Sequence, residues 1–190
     1  MPADGLFAET VREHRAVLDR MEAALAEPLD TLMDRCRRAL AGGGKVLFFG
    51  NGGSAADAQH LATELVCRYE RTGGALAAVA LTTDTSLLTA TSNDFGYDAV
   101  FERQVNALAR PGDVAIGIST SGRSASITRG LRAALAADCT AAALSGKDGG
   151  DLPGLAEPLL VVPSERTARI QEMHIMLGHM LCQALEAERA

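Results

Sequence analysis

The chain has 190 residues, 47% of them apolar and 22% charged, which suits one globular unit able to bury a core without disulfides or structural metals. Its formal net charge of −6, from 18 Lys and Arg against 24 Asp and Glu, argues against nucleic acid or an anionic membrane surface as a partner. Cys36, Cys67, Cys139 and Cys182 are scattered without a CxxC pair, no apolar run reaches membrane-span length, and the start (Met1, Pro2, Ala3, Asp4) lacks signal-peptide character, so the expectation is a cytoplasmic protein with reduced thiols.

In chain order, residues 1–42 carry apolar side chains at three- and four-residue steps (Leu6, Val11, Val17, Leu18, Met21, Leu25, Leu29, Leu32, Met33 and Leu40), which predicts helix with a break near Pro28. Gly42, Gly43 and Gly44 end it. Lys45–Phe49 is a short apolar run of the kind found in buried parallel strands, and Leu76–Leu81, Asp113–Ile118, Thr140–Leu144 and Leu159–Val162 repeat the pattern. A turn and a helical stretch are expected between successive strands. That alternation predicts a doubly wound α/β fold, a five-stranded parallel sheet flanked by helices over residues 43–163. Residues 164–190 hold one long final helix, from Arg166 to Glu188, interrupted only by Gly178. With no linker, the whole reads as a single domain, and its ligand loops should lie past the carboxyl ends of the strands.

Two such loops stand out. Gly50, Asn51, Gly52, Gly53, Ser54 form a glycine turn running straight into a helix, whose amides suit an anion or sugar oxygens. Gly50, Gly52 and Ala55 also satisfy GxGxxA, but the second strand ends in Leu81, Thr82, Thr83 without the acidic residue a dinucleotide ribose needs, and there is no P-loop. Ser119, Thr120, Ser121, Gly122, Arg123, Ser124 open another helix with several hydroxyls and free amides, a compact receptor for a phosphate monoester. The alternative is that these serines only cap the helix. Ser145–Gly150 reads as a structural turn.

His60 and Glu64 lie four residues apart on one helix face, a spacing that serves a divalent metal or a proton-transfer pair. In the last helix Gln171, His174 and His179 interrupt an apolar surface; Gln171 and His179 are separated by roughly 80° of rotation and can share one cavity. His174 falls on the other side of Gln171, and His14 lies in the polar N-terminal helix. Three of the four histidines thus sit near potential ligand positions. A carboxylate and an imidazole suffice to interconvert an aldose and a ketose, with a metal polarising the oxygens of the enediol. Glu64 and His179 are the expected pair.

The runs GNGGSAADAQHLATE (50–64), TDTSLLTATSNDFGYD (83–98), ISTSGRS (118–124), LSGKDGG (144–150) and RIQEMHIMLGHMLC (169–182) together resemble the phosphoheptose isomerases of the sugar isomerase (SIS) domain family. The resemblance implies conversion of sedoheptulose 7-phosphate to D-glycero-D-manno-heptose 7-phosphate. It implies one zinc per active site on His60, Glu64, Gln171 and His179, with Glu64 and His179 as acid and base. Substrate contacts would come from Asn51, Gly52, Gly53, Glu64, Asn93, Asp94, Ser119, Thr120, Ser121, Ser124 and Gln171. A homotetramer with sites shared between subunits is also implied, which would account for so apolar a final helix. Arg68 matches a basic residue that some members place near the substrate, whereas Arg123 replaces a small amide residue common in the phosphate loop. The rival readings are a non-enzymatic SIS adaptor resembling the DnaA initiator-associating protein, whose pattern lacks the counterparts of Glu64 and His179, and an isomerase of another phosphosugar.

Overall fold

The computed structural model describes residues 3–187; Met1, Pro2 and residues 188–190, with Glu188 at the expected end of the final helix, lie outside the described residues. Helix α1 (Ala3–Ala41) buries Val17, Met21, Leu25, Leu29, Leu32, Cys36 and Ala39, a stripe that recurs every three or four residues. The expected break at Pro28 does not occur, and the helix runs through it. The stripe stays in phase on both sides of Pro28. The carbonyl that loses its partner belongs to Ala24, an exposed residue where water can replace the missing N–H. Gly42 and Gly43 close the helix by donating to Arg38 and Leu40 carbonyls.

Five parallel strands follow: β1 (Val46–Gly50), β2 (Ala78–Ala80), β3 (Val114–Ser119), β4 (Thr140–Gly146) and β5 (Leu159–Val162). They stand in the order β2-β1-β3-β4-β5, each pair parallel. Between them run α2 (Gly53–Val66), α3 (Thr85–Phe95), a 3-10 turn (Tyr97–Ala99), α4 (Val100–Leu108) and α5 (Ala125–Ala136), and α6 (Thr167–Glu186) ends the fold. The expected helix between β4 and β5 is absent. Residues 147–158 cross by turns instead, with Gly149, Gly150 and Gly154 at positive φ, and they offer no helical run long enough to nucleate.

Because alternate strand residues face opposite sides, the sheet separates two cores. Phe48, Val114, Ile116 and Ile118 pack with α1, α2 and α6 through Leu61, Leu65, Ile170, Met173 and Leu177. Leu47, Phe49, Ala115 and Ala143 pack with α4 and α5 through Phe101, Val105, Ile127 and Leu131. This is the doubly wound arrangement, and its strand order reverses at β1, so that α2 leaves to one face after β1 and α5 to the other after β3. The loops after β1 and β3 therefore flank the crevice where such sheets bind ligands. A groove of about 360 Å³ runs between α1 and α6, lined by Leu18, Met21, Leu25, Leu29, Met176 and Met180.

Candidate active site

Hydrogen bonds tie the two crevice loops together. Asn51, just past β1, donates its amide to Ser126 Oγ at 3.0 Å and accepts from the Tyr97 hydroxyl at 2.7 Å. In the β3 loop Ser119 Oγ accepts from the Gly122 amide at 3.1 Å, and Ser121 Oγ accepts from the Arg123 amide at 3.3 Å. Ser124 occupies the N-cap position of α5, yet its side chain makes no capping bond. Pure capping thus fails to account for this hydroxyl. Ser145–Gly150 braces the loop: Asp151 donates its amide to the Gly122 carbonyl at 3.0 Å, and Arg123 pairs with Asp148. Arg123 is therefore directed to the neighbouring loop. The Gly150 amide, first, and the Arg123 charge hold the Asp148 carboxyl below its usual range.

The second half of the site is made by α2 against α6. Gly178 is buried where the helices cross, and a Cβ there would lie 2.5 Å from Leu61 Cδ2 and 2.6 Å from Cδ1. Only glycine lets the helices approach this closely. The approach brings His60 Nε2 to 2.9 Å from His179 Nε2, with Glu64 Oε1 3.5 Å from His60 Nε2. Farther along α6, Gln171 fills the space beside Gly53, where a Cβ would overlap its amide nitrogen. His60, Glu64 and His179 thus gather from two helices, while Gln171, two turns nearer the start of α6 than His179, packs beside the β1 loop.

Among the described residues no three His, Cys, Asp or Glu side chains form a ready-made metal cage. The donor set nevertheless fits a divalent first-row ion. Two imidazoles and one carboxylate meet at spacings of 2.9 and 3.5 Å, which bracket the roughly 3.3 Å between tetrahedral ligands set by bonds of about 2.0 Å, and the Gln171 amide is the remaining donor on α6. The imidazoles hydrogen-bond each other only while one Nε2 carries a proton, and a metal requires that proton to leave. Asp57, one turn before His60, has a buried Oδ2 without a hydrogen-bond partner. Burial raises its pKa, and the neighbouring His60 partly opposes the rise.

A family model for the SIS domain matches residues 10–146. The phosphoheptose isomerase of Paramagnetospirillum magneticum is 57% identical over 182 residues, covering 96% of this chain and 95% of that protein. The chain belongs to the phosphoheptose isomerase family of SIS-domain enzymes. Among solved structures, the phosphoheptose isomerase of Neisseria gonorrhoeae is 44% identical with a TM-score of 0.91, over 98% of this chain and 100% of its own. That of Francisella tularensis is 31% identical with a TM-score of 0.95, over 99% of this chain and 100% of its own.

In this SIS-domain isomerase one sequence expectation about the site needs correction. His174 does not approach the ligand positions: it is fully buried and its Nε2 lies 2.9 Å from the Ser145 carbonyl oxygen. Burial lowers its pKa to about 4, against the opposing effect of the Ser145 bond. Its phase on α6 turns it toward the sheet. Only His60 and His179 therefore meet; His14 contacts Glu172 at 3.0 Å. Asn93 and Asp94 are exposed in the last turn of α3 and hydrogen-bond each other at 2.8 Å; Tyr97, which reaches Asn51, lies three residues beyond Asp94. Sequence patterning missed Tyr97 and Tyr69, whose ring centroid lies 5.5 Å from that of His179. Tyr97 stands in the run 83–98 that carries the family resemblance but had no role attached to it, and Tyr69 lies outside every such run.

Proposed function

We propose that the protein converts sedoheptulose 7-phosphate into D-glycero-D-manno-heptose 7-phosphate. The observation that carries this reading is the convergence of Glu64, His60 and His179 at 2.9 and 3.5 Å on two helices that Gln171 joins to the crevice loops. The helix start at Ser124–Ala125 and the hydroxyls of Ser119, Thr120, Ser121 and Ser124 receive the phosphate. Asn51, Gly52, Gly53, Asn93, Asp94 and Gln171 line the sugar. Glu64 takes the proton from C1 of the ketose while His179 protonates the C2 carbonyl oxygen, leaving an enediol. Return of a proton to C2 and loss of one from O1 yields the aldose, with no net gain or loss of protons. A zinc ion held by His60, Glu64, Gln171 and His179, one per site, would supply polarisation of the sugar oxygens.

The same reading makes the protein a homotetramer with sites shared between subunits. The apolar groove between α1 and α6 supports it, since a second copy would cover such a surface, and Met180 in its wall follows His179 directly. No described helix is long and apolar enough to cross a membrane, in keeping with a cytoplasmic enzyme. Incubation with sedoheptulose 7-phosphate in deuterated water, followed by NMR with zinc and after chelation, tests the proposal. An aldoheptose phosphate should form, lost on chelation and restored by zinc. No product and no deuterium exchange with metal bound would favour another phosphosugar or the binding-only adaptor.

A further inference from the structure

Beyond α2 the chain enters a segment, Tyr69–Arg71, to which none of the catalytic or binding roles above is assigned. Its backbone is held by one carboxylate. Glu186, in the last turn of α6, accepts from the Tyr69 amide at 3.0 Å through Oε1, and from the Glu70 and Arg71 amides at 2.9 and 2.8 Å through Oε2. Only 4% of this side chain is exposed, so these bonds replace the water that an ionised carboxylate needs. Three successive amides converging on one anion fix the course of the segment.

What the segment carries gives the clamp its consequence. The Tyr69 ring lies against His179, with centroids 5.5 Å apart and planes at 39°, while the His60 ring meets His179 at 5.2 Å and 54°. The His179 imidazole is thereby flanked by rings from two other parts of the chain. Glu186 and His179 are seven residues, two helical turns, apart on one face of α6. One helix thus bears both the imidazole and the anchor for the ring that confines it.

We propose that Glu186 is a positioning residue, gripping the Tyr69–Arg71 backbone so that the Tyr69 ring holds His179 in the rotamer that faces the substrate carbons. The role in turnover rests on the acid/base assignment of His179 above; the clamp itself does not. Glu186→Gln keeps the shape but turns an NH2 toward at least one backbone donor. Misorientation of His179 should lower kcat by about 10- to 100-fold, with KM within about twofold because Glu186 touches no substrate. Tyr69→Ala should act alike, and Tyr69→Phe, which keeps the ring, should return kcat to within about threefold of wild type.

The decisive comparison is the double variant. If Glu186 acts through Tyr69, Glu186→Gln with Tyr69→Ala is no slower than Tyr69→Ala alone, whereas multiplied losses overturn the proposal. Amide exchange at residues 69–71 should quicken in Glu186→Gln. The His179 imidazole resonances of the unliganded protein should move in both Glu186→Gln and Tyr69→Ala, but stay in Tyr69→Phe. Unmoved His179 resonances in Glu186→Gln refute the clamp whether or not the protein isomerises a heptose. Should Glu186→Gln fail to fold, the contrast between Tyr69→Ala and Tyr69→Phe decides: equal kcat and equal His179 resonances refute it.

Discussion

Gly178→Ala is the sharpest test of how packing makes the site. The added carbon would lie 2.5 Å from Leu61 Cδ2, where carbon atoms rest at about 3.5 Å or more, so the helices must part by about 1 Å or Leu61 must turn. Leu61 is 1% exposed, and close-packed interiors leave a side chain little room to turn, so separation is the easier response. The His60–His179 distance of 2.9 Å then opens to about 4 Å, beyond a shared ligand or hydrogen bond. Overpacking costs about 1–3 kcal/mol, and the better helix propensity of Ala returns about 1 kcal/mol, so the net destabilisation is at most about 2 kcal/mol. A displacement of 1 Å costs about 100-fold in rate, so kcat should fall far more than stability. Urea unfolding and steady-state isomerase kinetics measure the two effects, and pairing with Leu61→Val should restore part of the rate. Gly178→Ala with wild-type kcat would refute the claim that this contact sets the geometry.

Three further outcomes follow from named contacts. Glu64→Gln keeps the shape of the side chain but removes the base, so turnover should fall at least about 1,000-fold while sugar-phosphate binding changes little; near-normal turnover would remove Glu64 from the chemistry. Ser121→Ala with Ser124→Ala should weaken phosphorylated sugars by about 10-fold or more without affecting the fold, read by calorimetric titration, and equal affinity would move the phosphate elsewhere. His174 has a pKa lowered from 6.5 to about 4, so between these values the unfolded chain binds a proton that the folded chain refuses. Its contribution is complete above 6.5 and is lost as pH falls toward about 4, a change of about 3 kcal/mol. Urea midpoints for wild type and His174→Gln should differ in pH dependence across that window, and parallel curves would contradict the assignment.

The strands were legible because a parallel sheet buries both faces, leaving unbroken apolar runs such as Val46–Phe49. The crevice loops were legible because glycines and hydroxyls cluster where strands end. Pro28 misled because local propensity predicts a break, whereas the buried stripe from Val17 to Ala39 decides the outcome. The β4–β5 crossover misled because alternation was extended to a connection too rich in turn residues to form a helix. His174 shares a helix with Gln171 and His179, and only the packing of α6 shows which of them turns to the sheet. Glu186 and Tyr69 were invisible because their partners are backbone amides and a ring distant in sequence.

The crossing of α2 and α6 also fixes when the site can exist. His60 and His179 are separated by 119 positions, and the sheet strands β2 to β5 lie between them in the chain. As synthesis proceeds from the N-terminus, the sheet is translated before α6, and its strands can begin to pair while half of the donors have yet to be made. His60 and Glu64 alone offer a divalent ion two ligands, which bind weakly and select poorly. The full set closes only after residue 179 has left the ribosome and α6 has docked. On the proposed assignment, capture of a metal by all four residues would report completed folding, and a chain cut before Gln171 would lack two of the four donors.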